Sequence, residues 1–397
     1  MAKRILIYTN HFYPEQFKIN EIVDWLSYKG SHIRVITGLP NYPIGEIIRD
    51  YSDTFSEKIL INRLFLIPRG KGSNFLLFFN YLSYFISCFV FTFYIAIFKK
   101  RYDTIFVHHT SPPLITFHPI FYSLFHKSKK ILWDLDIWPE SLKAIGTVNS
   151  KFSLGLVKLI MKWIYSKYNI ILVGSKSMID VVRDRYKGDI IYFPNWAEQV
   201  IEKNKIIKKY NFNIYKNHFN IMYTGNIGKA QNFSDLIKTI EHLDKNVHWI
   251  FVGGGRYKNE FIKILQKKHL YERVTFIKQV KINEIPTIVK NASALFLSLK
   301  NDDIFSKTVP AKLQSYMALG KPIIGVLNGE GARLITESNC GIVEENFDYL
   351  ELAKKINNFI KMSNSELSVL GKNGKTFYQK NFSSKIRMLQ IQNIIYE

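Results

Sequence analysis

The sequence predicts an α/β protein made of two doubly wound domains, each with a parallel sheet between helices. The first observation is the length, because 397 residues exceed one ordinary hydrophobic core. The second is the alternation of continuous apolar strands with helical segments, which is typical of parallel sheets buried on both faces. The third is that this alternation stops in a lysine- and asparagine-rich stretch near residues 197–217 and then restarts.

The first domain is predicted to span residues 1–200. One amphipathic helix, ending at Gly30, follows its first strand. The predicted strands are RILIYTN, HIRVITG, YDTIFVHHT, KKILWDLD and YNIILVGS, and IIYFPNWAE closes the domain. The amino terminus is already strand-like and has no cleavage site, so we expect no export leader.

The second domain is predicted to span residues 201–380. Two of its strands run into glycine turns, in FNIMYTGNIG and VHWIFVGGG, and the pattern continues in VTFIKQV, ALFLSLK and PIIGVL. The last helix, residues 381–397, is expected to pack back on the first domain. Because ligands of doubly wound sheets bind outside the carboxyl ends of the strands, we expect functional residues in a cleft formed by the loops there.

An uncharged segment covers residues 75–98, FLLFFNYLSYFISCFVFTFYIAIF, which is long enough for a transmembrane helix. A crossing would separate the first strands from their sheet partners, however. Asn80, Ser83 and Ser87 recur at roughly helical spacing and predict one wetter side. The pattern leaves open a span, a buried core helix and a helix docked on a membrane surface.

The formal charge is +23, from 55 basic and 32 acidic residues, which favours an anionic partner, although solvated lysines give the same total. No RNA-binding aromatic signature occurs, so we expect no nucleic acid. Two cysteines without a disulfide pattern fit a reducing compartment.

Basic residues flank the uncharged segment 75–98 on both sides, so we expect a monotopic protein on the anionic inner leaflet of a membrane. The basic residues around segment 75–98 are Arg63, Arg69, Lys71, Lys99, Lys100, Arg101, Lys127, Lys129 and Lys130.

Three stretches after strands of the first domain carry candidate site residues. His11 and Glu15 are expected to contact an acceptor, that is, a substrate with a reactive hydroxyl. His109, in VHHTSPP, is a candidate catalytic residue. The sequence offers no further ligands at metal-binding spacing, so we expect no metal. Alternatively, these histidines are loop residues without chemistry.

LWDLDIWPES places two aspartates two residues apart at a strand end, where their side chains point the same way. A carboxylate within hydrogen-bond reach can accept a proton from an acceptor hydroxyl. Asp136 and Glu140 are therefore candidate catalytic residues, and Asp134 is expected to bind the acceptor. The alternative is that one aspartate caps a helix and the other binds backbone amides.

Two glycine turns mark the second domain as the nucleotide-binding side. In TGNIGKAQ, Gly225 allows a ligand close to the backbone, and Lys229 can meet a phosphate. VGGGR adds Gly254 and Arg256. Neither turn is a complete dinucleotide-binding fingerprint, so each turn alone is weak evidence for nucleotide binding.

SKTVPAKLQSYMALGKPII, residues 306–324, is expected to contain a helix with Pro310 at its first position. Amides at that end would face a diphosphate, favoured by the helix dipole. Lys312 is unfavourable in a first turn unless an anion binds there, and Lys307 adds charge. The alternative is a core helix without a ligand.

Taken together, the loop with Pro14 and Glu15, the segment FPNWAE, the glycine turns and YMALGKPII resemble the family 4 glycosyltransferases of GT-B architecture. A narrower similarity, to a bacterial O-antigen and capsule subgroup of N-acetyl-L-fucosaminyl transferases, lies in TGLPNYPIGEI, IPRGKGS, NYLSY, DIWPES, IIYFPNWAE, TGNIGKAQ and VPAKLQSYMALGKPI. The resemblance implies metal-independent, cofactor-free transfer from a UDP-sugar to a polyprenyl-diphosphate-linked sugar.

The sequence departs from the family at the donor site. Asn226 replaces the arginine of the glycine turn, while Lys307 and Ser315 stand where the resemblance places sugar- and ribose-binding glutamates. We therefore expect the lysines to supply charge for the diphosphate, and Glu330 to replace a missing carboxylate.

Three functional alternatives accompany the leading one. The chain could transfer another hexosamine, it could be a UDP-sugar epimerase of the same architecture, or it could be a non-enzymatic anion-binding protein. Conversion of a free UDP-sugar without acceptor would identify an epimerase, and salt-sensitive nucleic-acid binding without UDP affinity would identify the last.

Overall fold

The computed structural model describes residues 2–52, 55–70, 73–145, 150–203 and 217–397. It divides into unit 1, Met1–Phe193 with Met388–Glu397, and unit 2, Pro194–Arg387. Each unit is built on one parallel sheet flanked by helices, which confirms the predicted α/β class with two Rossmann-like domains. The unit boundary lies slightly before the predicted one at residue 200.

Unit 1 has a seven-stranded sheet in the order β3-β2-β1-β4-β5-β6-β7. Its strands are β1 (Arg4–Thr9), β2 (His32–Gly38), β3 (Ile59–Leu64), β4 (Thr104–His109), β5 (Lys129–Asp134), β6 (Ile170–Val173) and β7 (Asp189–Tyr192). Its helices are α1 (Lys18–Tyr28), α2 (Asn74–Phe98), α3 (Phe117–Tyr122), α4 (Glu140–Ile145), α5 (Lys151–Tyr165) and α6 (Lys176–Arg183). The central strands are buried on both faces, which explains their continuous apolar sequences.

Unit 2 has a six-stranded sheet in the order β10-β9-β8-β11-β12-β13. Its strands are β8 (Phe219–Thr224), β9 (Val247–Val252), β10 (Val274–Ile277), β11 (Ala294–Ser298), β12 (Ile323–Val326) and β13 (Gly341–Glu344). Its helices are α7 (Gln199–Glu202), α8 (Phe233–Glu241), α9 (Lys258–Lys267), α10 (Ile285–Val289), α11 (Asp303–Ser306), α12 (Ala311–Leu319), α13 (Glu330–Glu337), α14 (Tyr349–Phe359) and α15 (Asn364–Asn381).

The last helix, α16 (Ser384–Tyr396), ends against the sheet of unit 1. Lys3 Nζ donates a hydrogen bond to the carbonyl of Ile395 at 2.5 Å, and Trp25 Nε1 donates to Gln392 Oε1 at 3.2 Å. These bonds join the two ends of the chain within one unit.

Helix α2 turns its polar side toward the protein, opposite to the predicted wetter side. Asn80 Nδ2 donates to the carbonyl of Ile67 at 2.6 Å, and Ser83 Oγ accepts from the Ile67 amide at 2.9 Å. Ser87 Oγ donates to the carbonyl of Phe65 at 2.6 Å. The loop after β3 has no sheet neighbour for these backbone groups, and the side chains of α2 satisfy them instead.

The outer side of α2 is aromatic and exposed, so α2 is not the buried core helix that the sequence left open. Ring contacts continue this face onto α3 and α5, between Phe89 and Phe121 at 4.4 Å and between Phe117 and Trp163 at 6.0 Å. We call this face the α2–α3–α5 surface. Its exposed apolar side chains are Phe75, Phe78, Ile86, Phe89, Val90, Phe93, Tyr94, Ile97, Phe98, Leu124, Phe125, Phe152, Leu156, Leu159, Ile160 and Trp163.

Within the described residues, α2 is the one helix long and apolar enough to cross a membrane. The sheet argues against a crossing. Strand β4 follows α2 and pairs with β1, which precedes it, from Ile5 opposite Thr104 to Thr9 opposite His108. A crossing helix would place these paired strands on opposite sides of a membrane.

Candidate functional site

The start of α12 lies against the first glycine turn of unit 2. A Cβ atom on Gly225 would lie 2.6 Å from Lys312 Cε, and the φ angle of Gly225 is 126°. Only glycine meets both conditions without strain or displacement of the lysine. The structure therefore brings together the two residues that the sequence assigned to a diphosphate.

The ammonium of Lys312 is partly buried and faces an aromatic ring. Its Nζ lies 4.2 Å from the ring centroid of Tyr223 and donates a hydrogen bond to the Tyr223 hydroxyl. Burial lowers the pKa of Lys312 to about 8. No carboxylate among the described residues forms an ion pair with this group. A bound anion would supply the missing counter-charge.

Pro310 is the N-cap of α12, whereas the sequence predicted it as the first helical residue. The first helical residue is Ala311. The proline has no side-chain oxygen to cap the helix. The amide of Leu313 donates to the carbonyl of Pro310 at 2.8 Å, which leaves the amides of Ala311 and Lys312 to face an anion with the support of the helix dipole.

The two glycine turns contact each other through their backbones. Gly225 N donates to the carbonyl of Val252 at 2.9 Å, and Ile227 N donates to the carbonyl of Gly254 at 2.7 Å. A Cβ atom on Gly253 would lie 2.2 Å from the Gly225 oxygen, whereas one on Gly254 would meet nothing within 4 Å. Gly254 therefore borders open space, where a ligand can approach the backbone.

Three other predicted donor residues lie around these turns. Asn226 and Arg256 are exposed. The backbone of Lys229 begins a short 3₁₀ turn, but its side chain lies outside the part of the chain that the structure describes. A direct phosphate contact by Lys229 stays a prediction.

The two positions that depart from the expected glutamates have local partners. Lys307 follows α11, and its Nζ donates to Asp303 Oδ2 at 2.9 Å. Ser315 Oγ donates back to the carbonyl of Ala311 at 3.4 Å. Part of the Lys307 charge is thus already balanced, and Lys312 is the better candidate for the diphosphate.

Glu330 begins α13 and is 4% exposed. Its Oε2 lies 2.9 Å from Arg333 Nη2. The glycines on either side pack onto the donor loop: a Cβ atom on Gly329 would lie 2.0 Å from the Ser306 oxygen, and one on Gly331 would lie 3.3 Å from Pro310 Cδ. The fold therefore holds a carboxylate beside the start of α12.

At the carboxyl edge of the unit 1 sheet, three buried side chains form a chain of hydrogen bonds. Asp134 Oδ1 lies 2.8 Å from His109 Nδ1, and Asp134 Oδ2 accepts from the Tyr165 hydroxyl at 2.5 Å. A carboxylate only accepts, so Nδ1 carries the hydrogen and Nε2 is left as an acceptor. His109 Nε2 is buried without a partner among the described residues.

The surroundings of Asp134 do not favour the predicted direct contact with an acceptor. The residue is fully buried, and both of its carboxylate oxygens are engaged by protein groups. Asp134 is instead a positioning residue, which fixes the ring and the tautomer of His109.

His11 and Glu15 also pair, with His11 Nδ1 at 2.8 Å from Glu15 Oε2. The other oxygen of Glu15 accepts from the amides of Asn41 and Tyr42, at 2.9 and 2.7 Å. Glu15 therefore joins the loops after β1 and β2. The ring of His11 stacks on Phe17 with centroids 4.7 Å apart, so the pair is buried within an aromatic cluster.

The two candidate catalytic carboxylates also have protein partners. Asp136 Oδ2 accepts from the Ser111 amide at 2.9 Å. Glu140 forms an ion pair with Arg185, whose guanidinium also donates to the carbonyl of Trp138 at 2.6 Å. These bonds hold the DIWPES segment in place. Glu140 Oε2, like His109 Nε2, is buried without a partner among the described residues, so both atoms can accept a proton. The described residues contain no group of three ligands that could hold a metal ion.

Several residues of these clusters were missed by the sequence interpretation. Tyr165 and Tyr223 lie on a helix and a strand whose periodicity marks them as core, and Arg185 lies in the turn after α6. Arg69 was noted only for its charge, but its guanidinium lies 5.4 Å from the Tyr42 ring and donates to Asn41 Oδ1 at 3.1 Å. The contacts that give these residues a role join distant parts of the chain and leave no sequence signal.

The chain is similar to known proteins both in sequence and in fold. Residues 202–377 match the family model described as glycosyl transferases group 1. WcaI of Escherichia coli K12, a glycosyl transferase assigned to colanic acid biosynthesis, is 20% identical over 337 residues, covering 80% of this chain and 81% of WcaI.

Three solved structures are similar over nearly the whole chain. Sucrose-phosphate synthase from Thermosynechococcus elongatus has a TM-score of 0.74 at 16% identity and covers 99% of this chain and 98% of its own. WaaG, a glycosyltransferase involved in lipopolysaccharide biosynthesis, has a TM-score of 0.64 at 12% identity, covering 98% and 99%. Anabaena HepE, in complex with UDP and glucose, has a TM-score of 0.65 at 13% identity and covers 100% of both. The chain is a glycosyltransferase with the GT-B fold.

Proposed function

We propose that this glycosyltransferase moves a sugar from a UDP-sugar to a polyprenyl-diphosphate-linked saccharide during O-antigen or capsule synthesis. The donor sugar we propose is N-acetyl-L-fucosamine. The likeness to WcaI and WaaG, which are named for colanic acid and lipopolysaccharide biosynthesis, supports the process. The sequence motifs of the N-acetyl-L-fucosaminyl subgroup support the sugar.

The observation that carries this proposal is the partly buried Lys312 ammonium beside Gly225, at the start of α12. A cation without a counter-charge among the described residues, next to the first two amides of a helix and a glycine turn, suits a nucleoside diphosphate. HepE, which has a similar fold, was solved with UDP and with UDP-glucose. No metal is needed in this proposal, since protein groups supply the positive charge.

In unit 1, we assign the acceptor hydroxyl to His109 Nε2. The hydroxyl would displace the side chains that cover Nε2 and donate a hydrogen bond to this atom. Asp134 holds the imidazole ring in position for that contact. Proton transfer to Nε2 would raise the nucleophilicity of the acceptor oxygen as it attacks the anomeric carbon. Asp136 and Glu140 hold the neighbouring loop, and His11 with Glu15 holds the loops after β1 and β2, where we propose that the acceptor binds.

The decisive experiment incubates the enzyme with UDP- and GDP-sugars and short polyprenyl-diphosphate saccharides, followed by mass spectrometry and NMR of the products. We expect transfer from UDP-N-acetyl-L-fucosamine, with release of UDP. Transfer of a different hexosamine would correct the donor. Conversion of a UDP-sugar without acceptor would replace the proposal by an epimerase.

We further propose that the enzyme works on the cytoplasmic face of the cell membrane as a monotopic protein. The α2–α3–α5 surface supports this, because contiguous exposed aromatic patches mark protein or membrane contacts. Lys99 lies over the ring of Tyr94, and Lys167 lies over that of Trp163, at 5.4 and 5.5 Å. Lysines beside interfacial aromatics suit an anionic leaflet.

Serines in place of Phe78, Phe89, Phe93 and Ile97 should release the enzyme from membranes. These side chains are exposed, so the variant should keep its fold. Loss of four apolar contacts should lower partitioning into vesicles on the order of 100-fold or more. Co-sedimentation with vesicles measures this, and circular dichroism checks folding. A folded variant that still sediments like the wild type would refute the docking surface.

Glu330→Ala tests the proposed replacement carboxylate. If Glu330 binds the ribose, the variant should bind UDP about 10-fold more weakly by calorimetry, because it loses a charged hydrogen bond. UDP lacking both ribose hydroxyls should bind wild type and variant equally. Glu337→Ala is the matched control, since Glu337 also pairs with Arg333 but is half exposed. Equal UDP affinity of Glu330→Ala and wild type would exclude the ribose contact.

A further inference from the structure

A second cationic cluster lies at the amino end of the unit 1 sheet, away from the candidate active site. It forms an open cavity of about 370 Å³ just before β4, β5 and β6. The candidate active-site residues of unit 1 follow the carboxyl ends of these strands. A strand of six residues separates the two ends by roughly 20 Å. The cavity is therefore distinct from the candidate acceptor site of unit 1.

Four basic side chains line this cavity: Arg101, Lys127, Lys129 and Lys130. Lys129 Nζ donates to the carbonyl of Ile394 at 2.8 Å. The other three form no hydrogen bond through their side chains and no ion pair with any described carboxylate. Burial, together with Lys3, lowers the pKa of Lys129, and burial lowers the pKa of Lys130. A bound anion would relieve this crowding of positive charge.

The cavity is joined to the α2–α3–α5 surface. His126, in its wall, contacts the carbonyl of Ala96 in α2 through Nε2 at 2.7 Å. Leu124 is 75% exposed beside it, and Phe125 lies 6.2 Å from Phe93 of α2. Phe98, at the end of α2, is also exposed. A ligand in this cavity would therefore have its anionic group among basic side chains. The protein surface next to it would be apolar.

We propose that this cavity binds the phosphate headgroup of an anionic phospholipid in the leaflet on which the α2–α3–α5 surface rests. The inference rests on the proposed membrane docking and adds a specific headgroup site to it. A free phosphate in solution gains nothing from the apolar neighbourhood, whereas a phospholipid uses both features. Basic residues at an interface also fix how deep and in which orientation a monotopic protein lies.

The test compares binding of the full-length enzyme to vesicles of phosphatidylcholine alone and of phosphatidylcholine mixed with phosphatidylglycerol. The variant replaces Arg101, Lys127 and Lys130 by glutamine. Its affinity for phosphatidylglycerol vesicles should fall on the order of 100-fold, since each of the three basic residues near the surface contributes about fivefold. Binding to phosphatidylcholine alone should not change.

The matched control replaces three exposed lysines of unit 2, Lys245, Lys263 and Lys267, by glutamine. It removes the same charge and should change vesicle affinity by no more than about twofold, because none of these lysines lines the cavity or belongs to the α2–α3–α5 surface. Equal losses in both triple variants would overturn the headgroup site and leave only a net-charge effect.

Two further outcomes would also overturn it. One is saturable binding of inorganic phosphate, without vesicles, that the cavity variant loses while its vesicle binding stays normal. The other is RNA binding that depends on the same three residues, again with normal vesicle binding.

The α2 serine variant separates the two proposals: if it leaves vesicles while the cavity variant stays bound, docking stands and the headgroup site fails. Transfer to a short-chain acceptor should be unchanged in the cavity variant.

Discussion

Lys312→Ala is expected to weaken UDP binding about 100-fold, because it removes a charge-assisted contact to the diphosphate from a partly buried position. Isothermal titration calorimetry with UDP measures the change. Lys312→Met retains most of the apolar stem over Tyr223 and should lose as much, which separates the charge from packing.

Ser315→Ala, one turn along the same helix, is the matched control and should bind UDP within about twofold of the wild type, since its hydroxyl bonds only locally. If Lys312→Ala binds UDP as the wild type does, α12 is a core helix and the donor site lies elsewhere.

The same lysine gives UDP binding a defined pH dependence. Burial lowers the pKa of Lys312 to about 8, so the free enzyme holds the charged ammonium below that pH and loses it above. UDP favours the charged form, and its terminal phosphate is already ionised above pH 7. Affinity should therefore be nearly constant between pH 7 and about 8 and fall as the pH rises further. Lys312→Met should remove this decline, and a decline that persists would assign it to another group.

Asp134→Asn is expected to lower kcat on the order of 100-fold. The Asp134 carboxylate holds the hydrogen of His109 on Nδ1, and an amide can also donate, which permits the opposite tautomer with Nε2 protonated. His109 would then no longer accept a proton from the acceptor hydroxyl. Asn has the volume of Asp, so the fold should persist.

Steady-state kinetics with the donor and a short-chain acceptor gives kcat, and nitrogen NMR of the imidazole reports the tautomer directly. The donor KM should stay near the wild-type value. Tyr165→Phe is the control: it removes the other partner of Asp134 but keeps the bond to His109, so kcat should fall less than about tenfold. A folded Asp134→Asn enzyme with wild-type kcat and an unchanged tautomer would contradict the positioning role.

Most elements of the fold could be predicted from the sequence, because buried parallel strands are apolar throughout. Two strands were missed. β3 is a half-buried edge strand that carries Asn62 and Arg63, and β13 is only four residues long, so neither shows a continuous apolar run. The start of α12 and the glycine turns were also predictable, since turn residues and helix starts depend on local chemistry.

The sequence by itself determined the two sheets, the extent of α2 and which loops follow the strands. The tertiary structure alone decided which side of α2 faces water and what each charged group contacts. Asp134 meets His109 across 25 residues, Glu140 meets Arg185 across 45, and Lys312 meets Tyr223 across 89. Periodicity describes the faces of one element, whereas these contacts depend on which strands become neighbours in the sheet. A polar residue therefore looks the same in the sequence whether it faces water or satisfies a buried backbone group, and only packing distinguishes the two.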